Sequence, residues 1–392
     1  MTTQILQKWN KVKLGDVAEI ESGGTPSSTK SEYWDGGNIC WATLPDLKNK
    51  YILDTQRKIT PLGLKNSSAK LLPINSVIFS SRATIGEISI AKVETATNQG
   101  SKNFICDPKK LDYEFLYYLL KSKIEEIKQL ASGATYKEIN KTVFSGVEVD
   151  LPDLKQQKHI AAVLAVYDAL IENNICRTKI LEQMTQSVYT EWFINAEDIQ
   201  EWDKIGLDKV IDINPSHNTK NQKGFKKIPM ERLSNNLMLI ETENLEIVSK
   251  VSGSKFRNHD VLFARITPCL ENGKTGYVHF LQDNEIAIGS TEFVVMRGNQ
   301  VPSTFVYCLA RDPNFRTAAQ KTMTGASGRQ RVSNDFFKEY KISLPPKNLL
   351  QKFHDLAFPI FVQIETLRKE NEGLKKTRSL LIPKLVTGEL II

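Results

Sequence analysis

The chain has 392 residues, of which 41% are hydrophobic, and a formal net charge of +7. Its length allows two or three domains, and its apolar content excludes an intrinsically disordered or low-complexity protein. Because it has no apolar run of membrane-spanning length, no signal-peptide pattern at its start and no C-x-x-C pair among its five cysteines, the sequence predicts a cytoplasmic protein without a zinc ribbon or a disulfide framework.

The positive charge is divided between two large segments. Residues 1–150 carry 20 basic against 17 acidic side chains, and residues 201–343 carry 20 against 16. A small positive excess permits contact with phosphates, but many cytosolic proteins have as much. Charge alone therefore does not identify a nucleic-acid-binding protein.

An internal repeat organises the chain. Residues 202–213 restate residues 9–20 at an offset of 193 positions, and each copy starts with tryptophan. Two other landmarks recur in the same order: Leu151-Pro152 at Leu344-Pro345, and Gly133-Ala134 at Gly325-Ala326. Solenoid and propeller units span roughly 20 to 50 residues, so a repeat of this length predicts two duplicated domains instead.

Each half begins with a strand-rich part that predicts a mixed, mostly β domain with a few helices. The main elements predicted in the first half are strands at 76–82, 88–91 and 99–105, a helix at 113–130 and a final strand at 147–151. Their counterparts in the second half are strands at 260–265, 277–280 and 288–294, a helix at 304–322 and a final strand at 340–344. Each predicted final strand ends at the leucine of a Leu-Pro dipeptide, because proline cannot donate a hydrogen bond to the ladder of a sheet.

Each half ends in a helical segment. Residues repeat every seven positions through 153–195, and the same spacing returns 193 positions later. Four successive heptads predict long helices packed as a coiled coil, the first about 65 Å long at roughly 1.5 Å per residue. Two shorter amphipathic core helices are the alternative. The predicted seam between the helices consists of Ile160, Tyr167, Asn174, Leu181, Val188, Phe353, Ile360, Leu367, Leu374 and Leu381.

Three residues modify this prediction. Pro359 is expected to kink the second helix or to begin a new segment, and Pro383 is expected to end it. Asn174 occupies a seam position, where it either fixes the register of the two helices or turns to water.

The predicted fold class is therefore α+β, with two mixed, mostly β domains joined by two long antiparallel helices and related by a pseudo-two-fold internal repeat. The predicted segments are residues 1–150 (first domain), 151–200 (central helical spacer), 201–343 (second domain) and 344–392 (C-terminal helical spacer).

Catalytic and metal-binding motifs are missing from the sequence. Gly273-Lys274-Thr275 resembles the end of a phosphate-binding loop, but Pro268 stands where that motif needs glycine, which predicts a simple turn. The five histidines have no metal-ligand spacing, and no G-x-S-x-G elbow is present. The sequence therefore predicts no active site and no metal site.

Polar loops are the better candidates for function. Residues 325–331 (GASGRQR) place Arg329, Gln330 and Arg331 on a turn, where guanidinium and amide groups can contact phosphates or base edges. Residues 133–137 (GATYK) form the corresponding loop, and Arg82 and Arg265 are predicted to occupy equivalent places beside turns. The alternative is that these arginines are solvated or paired within the fold.

Taken together, these motifs resemble the specificity subunit of type I restriction-modification systems. The resemblance rests on ordered segments in both halves: GGTP at 23–26 with YW at 33–34 and ICW at 39–41, then 76–82 with TIG at 84–86 and NQGS at 98–101; in the second half 260–270, 272–276, GSTEF at 289–293 and GRQR at 328–331; and LPP at 344–346 with LIPKLVTGE at 381–389. It covers nearly the whole chain, twice.

The resemblance implies a non-catalytic reader of double-stranded DNA. It makes the two domains target recognition domains for the halves of a split, asymmetric site, and makes the helices a ruler that holds two modification subunits. It also implies that this chain binds no cofactor, because S-adenosylmethionine belongs to the modification subunits, and ATP with magnesium to the restriction subunits. The candidate DNA-contacting residues are Ser81, Arg82, Thr84, Gln99, Lys102, Tyr136, Lys137, Arg265, Thr267, Lys274, Thr291, Arg329, Gln330 and Arg331.

Two other functions fit parts of the sequence. A helical-rod adaptor that binds proteins but no DNA would share the slight basicity and the long helices. A nuclease with an unrecognised site would show metal-dependent cleavage by the isolated chain.

Overall fold

The computed structural model describes residues 9–131, 138–220, 222–326 and 328–392. The chain divides into two compact units, and the boundary between them falls inside two long helices, after Ala169 and after Gly373. The first unit consists of two segments, the residues before Leu170 and the residues after Gly373. The second unit is Leu170–Gly373.

The first unit contains a mixed β domain with short helices. Its strands are β1 (Asn10–Lys13), β2 (Ala18–Ser22), β3 (Ile39–Ala42), β4 (Tyr51–Ile52), β5 (Lys58–Ile59), β6 (Val77–Ser80), β7 (Ile88–Ala91), β8 (Thr95–Thr97), β9 (Ser101–Cys106) and β10 (Glu148–Leu151). Its short helices are α1 (Leu14–Val17), α2 (Pro61–Lys65), α3 (Tyr113–Ser122), α4 (Ile124–Gln129) and α5 (Lys141–Gly146). The sheet orders are β2-β9-β6-β7-β4, β5-β3-β8 and β1-β10.

The core of the first unit lies between the five-stranded sheet and α3. Asp112 begins α3 by accepting a hydrogen bond from the Phe115 amide at 3.0 Å, and every residue of α3 from Phe115 to Leu120 is buried. These side chains pack with Phe79 and Phe104 of the central strands. The central strands are thus covered by apolar residues and fix the position of the turns at their ends.

The long helix α6 (Leu154–Tyr189) follows Pro152 and continues as one π turn over Thr190–Ile194. Asp153 precedes it and accepts a hydrogen bond from the Gln156 amide at 2.8 Å, as an N-cap residue does. The sequence predicted one helix over residues 153–195. That prediction is confirmed, and the alternative of two short core helices is not observed here.

The second unit repeats this organisation. Its strands are β11 (Lys204–Gly206), β12 (Ile211–Ile213), β13 (Phe225–Ile228), β14 (Ile247–Val248), β15 (Ser254–Phe256), β16 (Val261–Ala264), β17 (Thr275–Tyr277), β18 (Ala287–Gly289), β19 (Phe293–Gly298) and β20 (Lys341–Ser343). Its short helices are α7 (Leu207–Val210), α8 (Ser303–Arg311), α9 (Pro313–Lys321) and α10 (Phe336–Glu339). The sheet orders are β12-β19-β16-β17, β14-β13-β18-β15 and β11-β20.

Two predicted elements of the second unit are divided in the structure. The strand predicted at 288–294 is two strands, β18 and β19, which belong to different sheets. The helix predicted at 304–322 is α8 followed by α9, because Asp312 caps the new helix through the Asn314 and Phe315 amides at 2.9 Å each and Pro313 begins it. In the first unit, the helix predicted at 113–130 likewise divides into α3 and α4.

The last long helix, α11 (Lys347–Val386), runs through Pro359 without a break. The prediction that Pro359 begins a new segment is therefore wrong. Both Pro359 and Asp355, whose carbonyl loses its helical donor, lie on the exposed side of the helix, where water can replace the missing bond. The helix also continues three residues beyond Pro383 and ends before Gly388, which has a positive φ of 75°.

Helices α6 and α11 run antiparallel within each unit. In the second unit Tyr189 meets Phe353 at a ring distance of 6.2 Å, while Asn174 donates to Asn371 at 3.1 Å. In the first unit Asp168 pairs with Arg378, and Ile160 and Leu164 share a cluster with Ile382 and Leu385. The predicted coiled-coil pairing thus describes the contacts inside each unit.

The predicted seam is only part of the buried surface of the helices. Ile160, Asn174, Phe353 and Leu367 are buried, whereas the other six seam residues, Tyr167, Leu181, Val188, Ile360, Leu374 and Leu381, are half-buried. Positions four residues later complete the buried face: Leu164, Ile171, Thr178, Thr185, Ala357, Ile364, Asn371 and Leu385. Asn174 is only 6% exposed, so it faces its partner helix and not water.

Candidate nucleic-acid interface

Both units end their central strands in the same backbone crossover. In the first unit the Ser81 amide donates to the Gly100 carbonyl at 2.8 Å, and the Ile139 amide donates to the Ser81 carbonyl at 3.1 Å. In the second unit the Arg265 amide donates to the Glu292 carbonyl at 3.0 Å, and the Val332 amide donates to the Arg265 carbonyl at 2.9 Å. A loop from the helical side of each unit is thereby fastened to the end of β6 or β16.

This crossover corrects the predicted equivalence of Arg82 and Arg265. The residue that occupies the place of Arg265 in the first unit is Ser81, and Arg82 corresponds to Ile266. Arg82 forms a β-bridge with Glu138, as Ile266 does with Arg331. Since successive side chains of an extended segment point to opposite faces, a shift of one residue changes the face on which the arginine lies.

The crossover of the first unit holds a buried cation. Lys102 is 4% exposed, and its Nζ donates to Ser81 Oγ at 3.3 Å and to Glu138 Oε1 at 3.1 Å. Ser81 is fully buried and donates its hydroxyl to the Gly100 carbonyl. In this conformation both residues brace the crossover from inside, while Arg82 and Thr84 are exposed beside it.

Gln99 lies at the exposed tip of the neighbouring β8–β9 turn. Thr25 donates its hydroxyl to Gln99 Oε1, which fixes the side-chain amide of Gln99. Gly23 allows this approach, because a Cβ there would lie 1.9 Å from the Asn98 carbonyl oxygen. Gly24 allows the same loop to lie against a second segment, because a Cβ there would lie 2.3 Å from the Ala69 nitrogen. The GGTP motif therefore positions a loop against the turn that carries Gln99.

An edge-to-face pair of tryptophans supports the same loop. Trp41 donates its indole N–H to the Gly24 carbonyl at 3.0 Å, and Trp34 meets Trp41 edge-on with ring centroids 5.0 Å apart. The guanidinium of the exposed Arg57 lies 3.9 Å from the Trp34 ring centroid. Sequence reasoning missed Arg57, because the sequence does not show that it returns to the two tryptophans.

In the second unit, two predicted arginines converge on one carboxylate. Arg331 donates from Nε and Nη2 to Glu292 at 2.9 and 2.7 Å, and Arg265 donates from Nε to Glu292 at 3.3 Å. Arg265 Nη1 also donates to Asn334 at 2.9 Å. The hydrogen bond from Arg331 and the charges of both arginines outweigh partial burial and hold the pKa of Glu292 below its ordinary value.

The loop around Arg331 is held by backbone contacts. Thr267 exchanges two bonds with Gln330: its amide donates to the Gln330 carbonyl at 3.0 Å, and its hydroxyl accepts from the Gln330 amide at 3.0 Å. Arg331 also bridges Thr324 across the loop. Lys274, in the turn predicted at Gly273, donates to the Met230 carbonyl at 2.9 Å. Thr267 and Lys274 thus hold local backbone.

The remaining candidates are distributed as follows. Thr291 and Arg329 are exposed, and they lie next to Glu292 in sequence and two residues before Arg331, respectively. Tyr136 and Lys137 lie outside the described residues. Sequence reasoning missed Glu292, Glu138 and Asn334, because each meets its partner only through a contact between segments that are distant in sequence.

Within residues 9–131, 138–220, 222–326 and 328–392, no group of three or more His, Cys, Asp or Glu side chains is arranged to hold a metal ion. Across the same residues no helix is long and apolar enough to cross a membrane.

Comparison with known proteins gives the same family for both halves. The family described as "Type I restriction modification DNA specificity domain" matches residues 7–183 and again residues 199–376. Because these two matches cover most of the chain, the protein belongs to the type I restriction-modification DNA specificity family. The resemblance drawn from the sequence motifs is confirmed, and so is the α+β fold with an internal repeat.

Two specificity subunits of Methanocaldococcus jannaschii restriction enzymes are similar along their length. The MjaIX subunit is 29% identical over 419 residues, covering 99% of this chain and 94% of the relative. The MjaVIII subunit is 20% identical, with the same coverage of both. The solved S subunit of a type I system from M. genitalium shares the fold, with a TM-score of 0.58, 17% identity and 98% of each chain covered. These relatives are named as specificity components, in accord with a non-catalytic chain.

Proposed function

We propose that residues 1–150 and 201–343 are target recognition domains that read the two unlike halves of a split target in double-stranded DNA. The observation that carries this proposal is that the two units share the backbone hydrogen bonds of this crossover but have different side chains there. Ser81 and Gly100 in the first unit stand where Arg265 and Glu292 stand in the second.

The difference extends to the fastened loops. Glu138 of the first unit corresponds to Arg331 of the second, because each forms the bridge to the residue after its crossover. At the adjoining turn, Gln99 precedes Gly100 and Thr291 precedes Glu292. Direct reading of DNA depends on the pattern of donors and acceptors offered to base edges. Two domains with different charges and polar groups at matching positions are therefore suited to different half-sites.

Residues 151–200 and 344–392 are proposed to set the gap between the half-sites and to bind two modification subunits. In the second unit, Leu170, Ile180 and Met184 of α6 are 47%, 55% and 54% exposed, and their spacing places them on one side of the helix. Exposed apolar side chains grouped in this way suit a protein partner. The modification subunits would supply S-adenosylmethionine, and restriction subunits would supply ATP and magnesium, so this chain itself needs no cofactor.

Binding of DNA by the complex of this chain with its modification subunit tests the proposal. The complex is expected to retain a specific duplex against scrambled competitor, and its affinity is expected to fall linearly with the logarithm of salt concentration. Arg329→Ala should lower that slope by about one, because each phosphate contact releases about one counterion.

Lys352→Ala is the matched control, since Lys352 is an exposed cation on α11 of the same unit. Its salt slope should equal that of the unaltered complex. A complex that assembles but shows no preference between specific and scrambled duplexes would contradict DNA reading and favour the protein-binding adaptor.

A further inference from the structure

The guanidinium of Arg331 is held along one edge by Glu292. Nε donates to Oε1 and Oε2 at 2.9 and 3.0 Å, and Nη2 donates to Oε1 at 2.7 Å. A third nitrogen, Nη1, donates to the Arg329 carbonyl at 3.2 Å. The side chain of Arg331 nevertheless stays 45% exposed.

The contacts of Arg331 leave some of its N–H groups available to a ligand. An arginine has five N–H groups: one on Nε and two on each terminal nitrogen. Within the described residues, Glu292 and the Arg329 carbonyl engage one N–H on each of the three nitrogens. One N–H on Nη1 and one on Nη2 remain, and these two nitrogens form the end of the guanidinium fork.

Glu292 is itself fixed from a second direction. Arg265 contacts the same carboxylate at 3.3 Å and is held by Asn334 at 2.9 Å. The carboxylate is 19% exposed and the Arg265 side chain 24%. The Arg331 fork is therefore oriented before any ligand arrives, which reduces the side-chain ordering that binding would otherwise require.

The ligand that fits an oriented, outward fork is a pair of neutral acceptors. Guanine presents N7 and O6 side by side in the major groove, and a bidentate arginine is their commonest specific partner. A phosphate at the same place would bring anionic oxygens close to the Glu292 carboxylate, and like charges repel. The neighbouring carboxylate thus favours a base edge over the DNA backbone.

We propose that Arg331 reads a guanine in the half-site recognised by residues 201–343, with Glu292 as its positioning residue. This inference rests on the proposed function. It separates Arg331 from Arg329, because the sequence predicted contacts to phosphates or base edges for both without distinguishing them. It also confines the guanine contact to one half-site, because the first unit has Glu138 at the position of Arg331 and Gly100 at the position of Glu292.

The test uses the complex with its modification subunit and the target found by methylation sequencing. Each guanine of the second half-site is replaced singly by 7-deazaguanine, which lacks the N7 acceptor, or by hypoxanthine, which keeps N7 and O6. We expect one position at which 7-deazaguanine weakens binding roughly ten- to hundredfold and hypoxanthine does not.

Variants assign that position to the residue pair. Arg331→Ala removes every donor of the fork and should erase the penalty of 7-deazaguanine. Glu292→Gln should reduce the penalty at the same position while leaving recognition of the first half-site unchanged. Arg329→Ala is the matched control on the same loop and should keep the full penalty. Unchanged melting temperatures and copurification with the modification subunit establish that the variants are folded.

Three results would overturn the inference. The second half-site could contain no guanine, no guanine could be sensitive to 7-deazaguanine, or the sensitivity could persist in Arg331→Ala. In each case the proposed function survives, because specific binding was observed. An unaltered complex with no sequence preference would overturn both the inference and the proposed function.

Discussion

The two units join their helices to their β domains by different chemistry. In the first unit the junction is ionic: Asp168 of α6 accepts from Tyr118, lies 3.2 Å from Lys50 and pairs with Arg378 of α11. In the second unit the position one repeat later is Phe361, whose ring lies 4.9 Å from Tyr277 and 5.4 Å from Tyr307.

The crossovers at the ends of the central strands show the same contrast. Their backbone bonds match, yet a buried lysine braces one and a pair of arginines surrounds a glutamate in the other. The duplicated frame is therefore set by main-chain hydrogen bonding and apolar packing. Polar side chains at equivalent places have changed without altering that frame, which is what two readers of unlike half-sites require.

Removing the ionic junction should have the largest effect on stability. Asp168→Ala removes the carboxylate that lies between two largely buried cations. The side chain of Lys50 is 9% exposed and that of Arg378 is 19% exposed. Breaking a buried pair by removing one partner costs about 3–5 kcal/mol, and we expect a loss near the lower end for the first unit because Glu114 still contacts Lys50 at 2.7 Å.

Hydrogen exchange in peptides of the first unit measures this loss. Asp150→Ala, at an exposed position of β10, is the control and should change stability by less than about 0.5 kcal/mol. A loss below about 1 kcal/mol for Asp168→Ala would show that the ionic junction is not what stabilises the first unit.

The response to pH should sharpen the comparison. Glu182 of α6 accepts from the Met238 amide at 2.8 Å and from Tyr307, and burial raises its pKa to about 7. Between the ordinary glutamate pKa and about 7, the folded second unit holds a proton that the unfolded chain does not. The second unit should therefore lose about 2–3 kcal/mol as pH rises from 5 to 8, and Glu182→Gln should abolish this loss.

Asp168 gives the opposite response in the first unit. Burial opposes its ionisation, but the Tyr118 hydrogen bond and the charges of Lys50 and Arg378 prevail and lower its pKa. Its stabilisation is thus present above the ordinary aspartate pKa and is lost only in stronger acid. Exchange rates corrected for their intrinsic pH dependence would resolve the two units. Equal stability of the second unit at pH 5 and pH 8 would contradict the assignment to Glu182.

A smaller effect is expected where the helices meet in the second unit. Asn174 donates to Asn371 at 3.1 Å, and Asn371 donates to the Ile171 carbonyl at 3.2 Å. Asn174→Leu should cost about 1–3 kcal/mol, because it leaves the Asn371 carbonyl oxygen buried with one partner fewer. The double variant with Asn371→Leu should recover most of this loss.

A double-mutant cycle in urea measures the coupling, with the exposed Asn173→Leu as control. Additive losses from the two leucine substitutions would show that the asparagines act independently and do not fix the register.

Much of the frame followed from patterns in the sequence. The alternation at 147–151 predicted β10, observed as Glu148–Leu151 with alternately exposed and buried residues, and the seven-residue repeat predicted the continuous course of α6. Both patterns are local, because they report which face of a strand or helix is buried. The path of α11 through Pro359 was not predictable in this way, because the pattern does not show whether water can replace the hydrogen bond that Pro359 removes at the Asp355 carbonyl.

The candidate interface was predicted less completely. The loop with Arg329 and Arg331 was identified by composition, but its partner Glu292 is 39 residues away from Arg331 in sequence and meets it only through the crossover. The equivalence of Arg82 with Arg265 failed by one residue, because sequence similarity does not determine the register of backbone hydrogen bonds. Contacts made across the fold were thus the part that the sequence alone did not reveal.

The most direct test of two independent readers is methylation sequencing of cells that express this chain with its modification subunit, before and after residues 201–343 are exchanged for those of a homologue. We expect a split, asymmetric adenine-methylation motif that requires the chain, and an exchange that alters one half of it while the other half and the gap stay the same. A motif altered in both halves, or in neither, would contradict the account.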